Sequence, residues 1–296
     1  MIHKRGFSLS SSLFSKMSIQ VKKPRKLLSQ RHPLLYRLAV GLRRMQRKLV
    51  WWTDGKQYAV RRDTELLPYR VKKHQSTLLR KLGDADMQLQ VNKVTNLRLA
   101  LQHIDGILIR PGETFSFCRL VGLPTKAKGY LMGMELSFGK ARPGIGGGIC
   151  QISNMIHWLV LHSPLTVVQR AQHSFDPFPD EGRVLPFGSG AAIFYNYIDY
   201  QFTNNTDNTF QLHIWLTDKT IEGEFLVASE LPQAYHIFER EHQFVKIGDT
   251  FFRKNEIWRK IIDKRTGNII SEDCLAKNNA RVSYVPGQYI VADDHP

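Results

Sequence analysis

The stretch from Pro143 to Leu161, PGIGGGICQISNMIHWLVL, constrains the fold of this chain more than any other. Pro143 with Gly144, Gly146, Gly147 and Gly148 forbids a regular element and permits backbone angles closed to residues with a β-carbon. Ile152, Met155, Ile156, Leu159 and Val160 then recur at helical spacing until Ser163-Pro164 ends the run. The pattern predicts a glycine loop that delivers Cys150 to the first turn of a buried helix. Unpaired N–H groups and the positive helix end favour thiolate over thiol there. The structural alternative is a tight turn before a core helix, with Cys150 as a small hydrophobe. Four glycines so close together indicate that backbone comes near something at this point.

A chain of 296 residues can bury a large core, in one domain or two. Its three cysteines, Cys118, Cys150 and Cys274, have no CxxC spacing, so neither a zinc site nor a disulfide framework is expected. No cofactor is expected either. The odd, low count fits a reducing compartment. The formal charge of +16 is concentrated at one end: residues 1–80 hold 20 Lys and Arg against Asp54, Asp63 and Glu65. A basic arm on a near-neutral body suits phospholipid or an acidic partner. Nucleic acid would call for a more uniformly basic protein and is not favoured.

Residues 1–32 read as a disordered basic arm, with Met17 as a second candidate start. They contain no apolar run of signal-peptide type. Pro33 to Trp52 predicts a helix. Leu34, Leu38, Leu42, Met45, Leu49 and Trp52 form one stripe, and Arg37, Arg43, Arg44, Arg47 and Lys48 lie largely off it. Such a helix suits an anionic membrane surface. The competing reading packs the stripe on the domain and solvates the arginines. Residues 51–80 have no clear period. A helix follows over about 92–104, then strands at 107–109, 114–117 and 131–138. After the Cys150 helix, a buried strand is expected at 165–168. A long loop over a groove follows at 176–190, and a strand at 191–202 holds Asp199. Strands 210–216 and 221–228 join in a hairpin around Asp218-Lys219. Five short strands follow, at 235–245, 250–254, 256–263, 268–274 and 281–285. The pattern is α+β rather than βαβ. It divides as 1–32 (arm), 33–91 (helix and connection), 92–230 (main domain) and 231–296 (β-rich extension).

PGETFSF (Pro111 to Phe117), Val121-Gly122, GxGGGICQxSN (Gly144 to Asn154), RxxHS (Arg170 to Ser174) and DxxFxNxT (Asp199 to Thr206) occur in this order. Together they resemble the VanW family over roughly residues 92–230. The resemblance implies a bacterial protein linked to glycopeptide resistance or the cell-envelope response, with a cell-wall-related peptide or glycan as partner. It supplies no established reaction or cofactor. Cys118 stands where relatives often have a polar residue.

The order Cys150, His173, Asp199 is similar to that of papain-like and transglutaminase-like enzymes. In this reading Cys150 is the nucleophile, His173 the base, and Asp199 the group that orients the imidazole. The N–H groups from Gly148 to Gln151 would form an oxyanion site. Gly146, Gly147, Gly148, Gln151 and Ser174 would line the binding surface. Asp176 is a rival carboxylate. Each residue also has a structural alternative: a capping or core role for His173, and a bond to the Asn204-Asn205 turn for Asp199. A zinc set of Cys150, His157 and His173 lacks short ligand spacing. Two function classes follow: a cysteine hydrolase or acyltransferase on peptide amides, and a non-enzymatic binding protein. The expected location is the cytoplasm, at the inner face of the membrane.

Overall fold

The computed structural model describes residues 32–79, 86–137, 140–172, 175–176, 179, 184–195 and 198–291. Helix α1 (Pro33–Thr53) starts where Pro33 needs no N–H partner and His32 Nδ1 accepts from the Leu34 N–H. Strands β1 (Gln57–Tyr58) and β2 (Tyr69–Thr77) follow. Helix α2 (Met87–Leu101) is capped by Asp86, whose carboxylate accepts from the Gln88 N–H at 2.8 Å. Then come β3 (Ile107–Ile109), β4 (Glu113–Ser116), α3 (Phe117–Val121), β5 (Met132–Ser137), β6 (Lys140–Ile145) and α4 (Cys150–Leu161). The remainder is strand: β7 (Thr166–Gln169), β8 (Phe175–Asp176), β9 (Gln201–Thr203), β10 (Phe210–Leu216), β11 (Thr220–Val227), β12 (Gln233–Ile247), β13 (Thr250–Asp263), β14 (Ile269–Val282) and β15 (Ile290–Val291).

Two four-stranded sheets, ordered β1-β4-β9-β7 and β2-β11-β10-β3, share the main core. Aromatic rings join them. Phe115 stacks on Phe202 at 4.7 Å, and Phe202 meets Phe225 edge to face at 5.9 Å. Each fully buried phenylalanine contributes roughly 1.5–3 kcal/mol by leaving water. Helix α4 lies over β11 at Gly223, where a β-carbon would come 3.2 Å from Met155 Cγ. A third sheet, β15-β12-β13-β14-β8, is built on a long antiparallel meander. It packs Ile237 and Ile257 against Trp158 and Leu161 of α4. The α+β class expected from the sequence is what the chain forms.

Several elements differ from the sequence reading, each for a physical reason. β7 is half-exposed, with Thr166 and Val168 facing out, because it is the last strand of its sheet. Among the described residues of the expected 191–202 strand, only Gln201 and Phe202 lie in a strand, β9. Upstream, side chains take the backbone groups that a ladder would use. Ala191 N–H donates to Asn154 Oδ1 at 2.8 Å, and Ser153 Oγ donates to Ala191 O at 2.7 Å. Residues 250–254 and 256–263 are one strand, β13, because Asn255 does not break it. Asn255 is buried; its Nδ2 donates to Phe187 O and its Oδ1 accepts from Asn278. β2, without period in the sequence, pairs along β11. The Leu–Met–Trp stripe of α1 faces outward, so the reading that packed it on the domain does not hold.

Candidate functional site

The glycine loop is a place of backbone contact. Gly147 lies against Gly133 of β5; a β-carbon on Gly147 would fall on the Gly133 carbonyl and 2.7 Å from Met134 N. Gly146 and Gly148 hold φ of +76° and +93°, which residues with a β-carbon adopt only with strain. Asn96 of α2 fastens the pair. Its Nδ2 donates to Gly147 O at 2.9 Å and Leu131 O at 3.1 Å, and its Oδ1 accepts from the Leu131 N–H at 2.8 Å. Sequence reading missed Asn96. The signal was there: Gln90, Lys93 and Asn96 recur at three-residue steps and are the buried polar face of α2.

Cys150 begins α4, as expected, with its thiol donating to Ile193 O at 3.7 Å. Burial pushes the thiol above its ordinary value, outweighing the Ile193 bond that pulls the other way. The helix end therefore does not make it a thiolate near neutral pH. The N–H of Gln151 is taken by Gly148 O, and that of Ile152 by Ile149 O. The Gln151 side chain points to β2, donating to Thr77 O at 2.9 Å and Ser76 Oγ at 3.3 Å.

Asp199 is fully buried and serves a different thiol-bearing segment. Its Oδ2 accepts from Ser116 Oγ at 2.6 Å and Gln201 Nε2 at 2.8 Å. Its Oδ1 accepts from the Cys118 N–H at 2.9 Å and the Tyr200 N–H at 2.8 Å. The carboxylate thus ties the β4–α3 junction to the start of β9. Cys118 is buried beside it, and burial with the Asp199 charge holds its thiol well above the usual range. His173 and Ser174 lie outside the described residues. Asp176, the rival carboxylate, pairs with Arg253 at 3.2 Å in the third sheet.

The remaining motif residues brace the segment that receives the Cys150 thiol. Arg170 Nε donates to Gly190 O at 2.8 Å, and its Nη2 donates to Gly188 O. His157 Nδ1 meets the Tyr200 hydroxyl at 3.0 Å; burial, with Arg170 nearby, holds this imidazole neutral. Burial likewise pushes His162 down to about 4. Within the 176–190 loop, residues 185–190 are packed down, with Phe187 buried and its carbonyl held by Asn255 and Asn278, while Val184 stays exposed. Among the described residues no cluster of His, Cys, Asp and Glu is arranged to hold a metal ion.

A solvent-reached cleft of about 730 Å³ opens elsewhere, between the C-terminal end of α2, the segment 62–66 and β10. Arg62, Arg98, Asp105, His213 and Trp215 line it. Asp105 Oδ1 accepts from the Ile214 N–H at 2.9 Å and sits 2.8 Å from His213 Nδ1. The His213 ring stacks on Trp215 at 4.5 Å. The cleft combines guanidinium groups, an oriented imidazole and an indole.

No solved structure matches this chain. The family model described as "VanW like protein" matches residues 92–226. The vancomycin B-type resistance protein VanW of Enterococcus faecalis is 36% identical over 265 residues, which are 88% of this chain and 94% of that protein. The uncharacterized protein YoaR of Bacillus subtilis is 34% identical over 110 residues, 37% of this chain and 34% of that protein. The matched region includes the glycine contact, the Asp199 junction and the Arg170 brace, and nearly the whole of the enterococcal protein is covered. The chain belongs to the VanW family.

Proposed function

We propose that this protein is a non-catalytic accessory of glycopeptide resistance that binds a cell-wall-related peptide or glycan. The observation that carries this reading is the state of Cys150: half-buried, with its thiol donating to Ile193 O and pushed up by desolvation. A thiol so placed supports the fold rather than attacking a carbonyl. The cleft beside α2 supplies a place for the ligand. Arg62 and Arg98 suit a peptide carboxylate, and Trp215 offers an apolar edge to a sugar or methyl group. Titration of a soluble disaccharide-peptide fragment of peptidoglycan, followed by calorimetry, tests it. Saturable binding that weakens about tenfold in Arg98→Ala, the loss of one charge-assisted contact, is expected. Absence of saturable binding overturns the proposal.

The order Cys150, His173, Asp199 favours a second reading, a cysteine hydrolase or acyltransferase on peptide amides. It requires a thiol that reacts at low pH. Cys274 is exposed, so the measurement uses a Cys274→Ser background. Under the binding reading, iodoacetamide labels the native protein slowly at every pH below the ordinary thiol range of about 8.5. Rapid labelling of Cys150 at about pH 6, lost in His173→Ala, would establish the enzyme reading instead.

A further inference from the structure

Helix α1 is inside out relative to a helix that packs on its own domain. Its leucine stripe is on the outside: Leu34, Leu38, Leu42, Met45 and Leu49 are 52–63% exposed and Trp52 is 83% exposed. The basic side is turned toward the protein. Arg47 Nη1 donates to Gln169 Oε1 of β7 at 3.0 Å, Arg44 lies over the Tyr195 ring at 5.6 Å, and Trp51 rests against Arg119 at 6.0 Å. A helix that meets only water gains nothing from this arrangement, since six large apolar side chains stay hydrated.

The charges around the stripe narrow what can cover it. Arg37, Arg43 and Lys48 are exposed along its flanks, and residues 33–53 contain no Asp or Glu. The sequence leading into the helix, residues 1–31, adds eight Lys or Arg, again without an acidic residue. A second copy of the chain docked stripe to stripe would set these basic flanks against one another, and α1 itself carries no acidic residue to offset them. An anionic bilayer meets both demands at once. Its acyl boundary takes the leucines, its phosphates take the flanks, and Trp52 sits at headgroup depth. The helix lies in the surface and does not cross it: no described helix is long and apolar enough to span a membrane.

We propose that α1 is a membrane-surface anchor, lying flat in the headgroup region of an anionic bilayer with its Arg44–Arg47–Trp51 face fastened to the protein. This proposal is independent of what the cleft binds.

The test is co-sedimentation of the full chain with vesicles of phosphatidylglycerol mixed with phosphatidylcholine, against phosphatidylcholine alone. The expected result is pelleting with the anionic vesicles that weakens as salt rises, with a blue shift of tryptophan emission. Leu38→Gln with Leu42→Gln leaves the charge unchanged and is expected to weaken binding about tenfold or more, since insertion and charge are both needed for stable attachment. It should leave the melting temperature unaltered, because these side chains face away from the fold. Failure of the wild type to pellet at low salt overturns the proposal. So does undiminished binding by the double variant, which would mean that charge alone attaches the protein. A fall of several degrees in its melting temperature, or a dimer that it dissociates, would show that protein covers the stripe.

Discussion

Gly147→Val is expected to abolish stable folding, whereas Cys150→Ser lowers stability only modestly. The valine branches would have to occupy the space held by the Gly133 carbonyl and Met134 N, which belong to a strand and cannot rotate away as a side chain can. Moving β5 aside would also break the two Asn96 bonds that clamp Gly147 O and Leu131 O. Overpacking against backbone together with loss of buried hydrogen bonds costs on the order of 4 kcal/mol or more, a large share of a domain's stability. Gly147→Ala belongs in the same series, since its single methyl already meets that carbonyl. In Cys150→Ser the hydroxyl keeps a donor toward Ile193 O, so the cost is that of a buried polar exchange, about 1–2 kcal/mol. Thermal and urea melts of the three variants check this. A Gly147→Val protein that melts with the wild type would show that the backbones are not in contact.

Asp199→Ala is expected to lose about 3–5 kcal/mol, the range for removing a buried charged acceptor from a satisfied network. Ser116 Oγ, Gln201 Nε2 and the N–H groups of Cys118 and Tyr200 would all be left buried without it. Asp199→Asn should recover only part of the loss, because its NH₂ would face one of two sets of donors. Urea unfolding with an unchanged m-value is the measurement. This variant also separates the catalytic role read from the sequence from the structural role that the hydrogen bonds of Asp199 describe. If Asp199 only oriented a catalytic imidazole, Asp199→Ala would keep its melting temperature and change thiol reactivity. If it ties β4 and α3 to β9, the melting temperature falls first.

The sequence by itself determined those features whose evidence is local. The glycine run, the Ile152–Val160 period and Ser163-Pro164 located α4 and placed Cys150 at its first residue. Pro33 and the four-three spacing of the leucines located α1. The hairpin around Asp218-Lys219 was legible because its turn and both flanking strands lie within a few residues of one another. The ordered motif blocks were sufficient to reach the family.

The tertiary structure decided everything that depends on what stands opposite. β2 has no period of its own and becomes a strand because β11, nearly the whole main domain away in sequence, offers it a partner edge. Asn255 looks like a break until Phe187 O and Asn278 are seen to satisfy its amide inside the sheet. In the linear order Asp199 reads as the group that orients His173, which lies outside the described residues; the carboxylate itself accepts from Ser116, Cys118, Tyr200 and Gln201, which no linear spacing announces. The stripe of α1 could be counted in the sequence, but not the direction it faces. Amphipathic spacing states that two faces differ; only the surfaces packed beside the helix decide which of them is left outside.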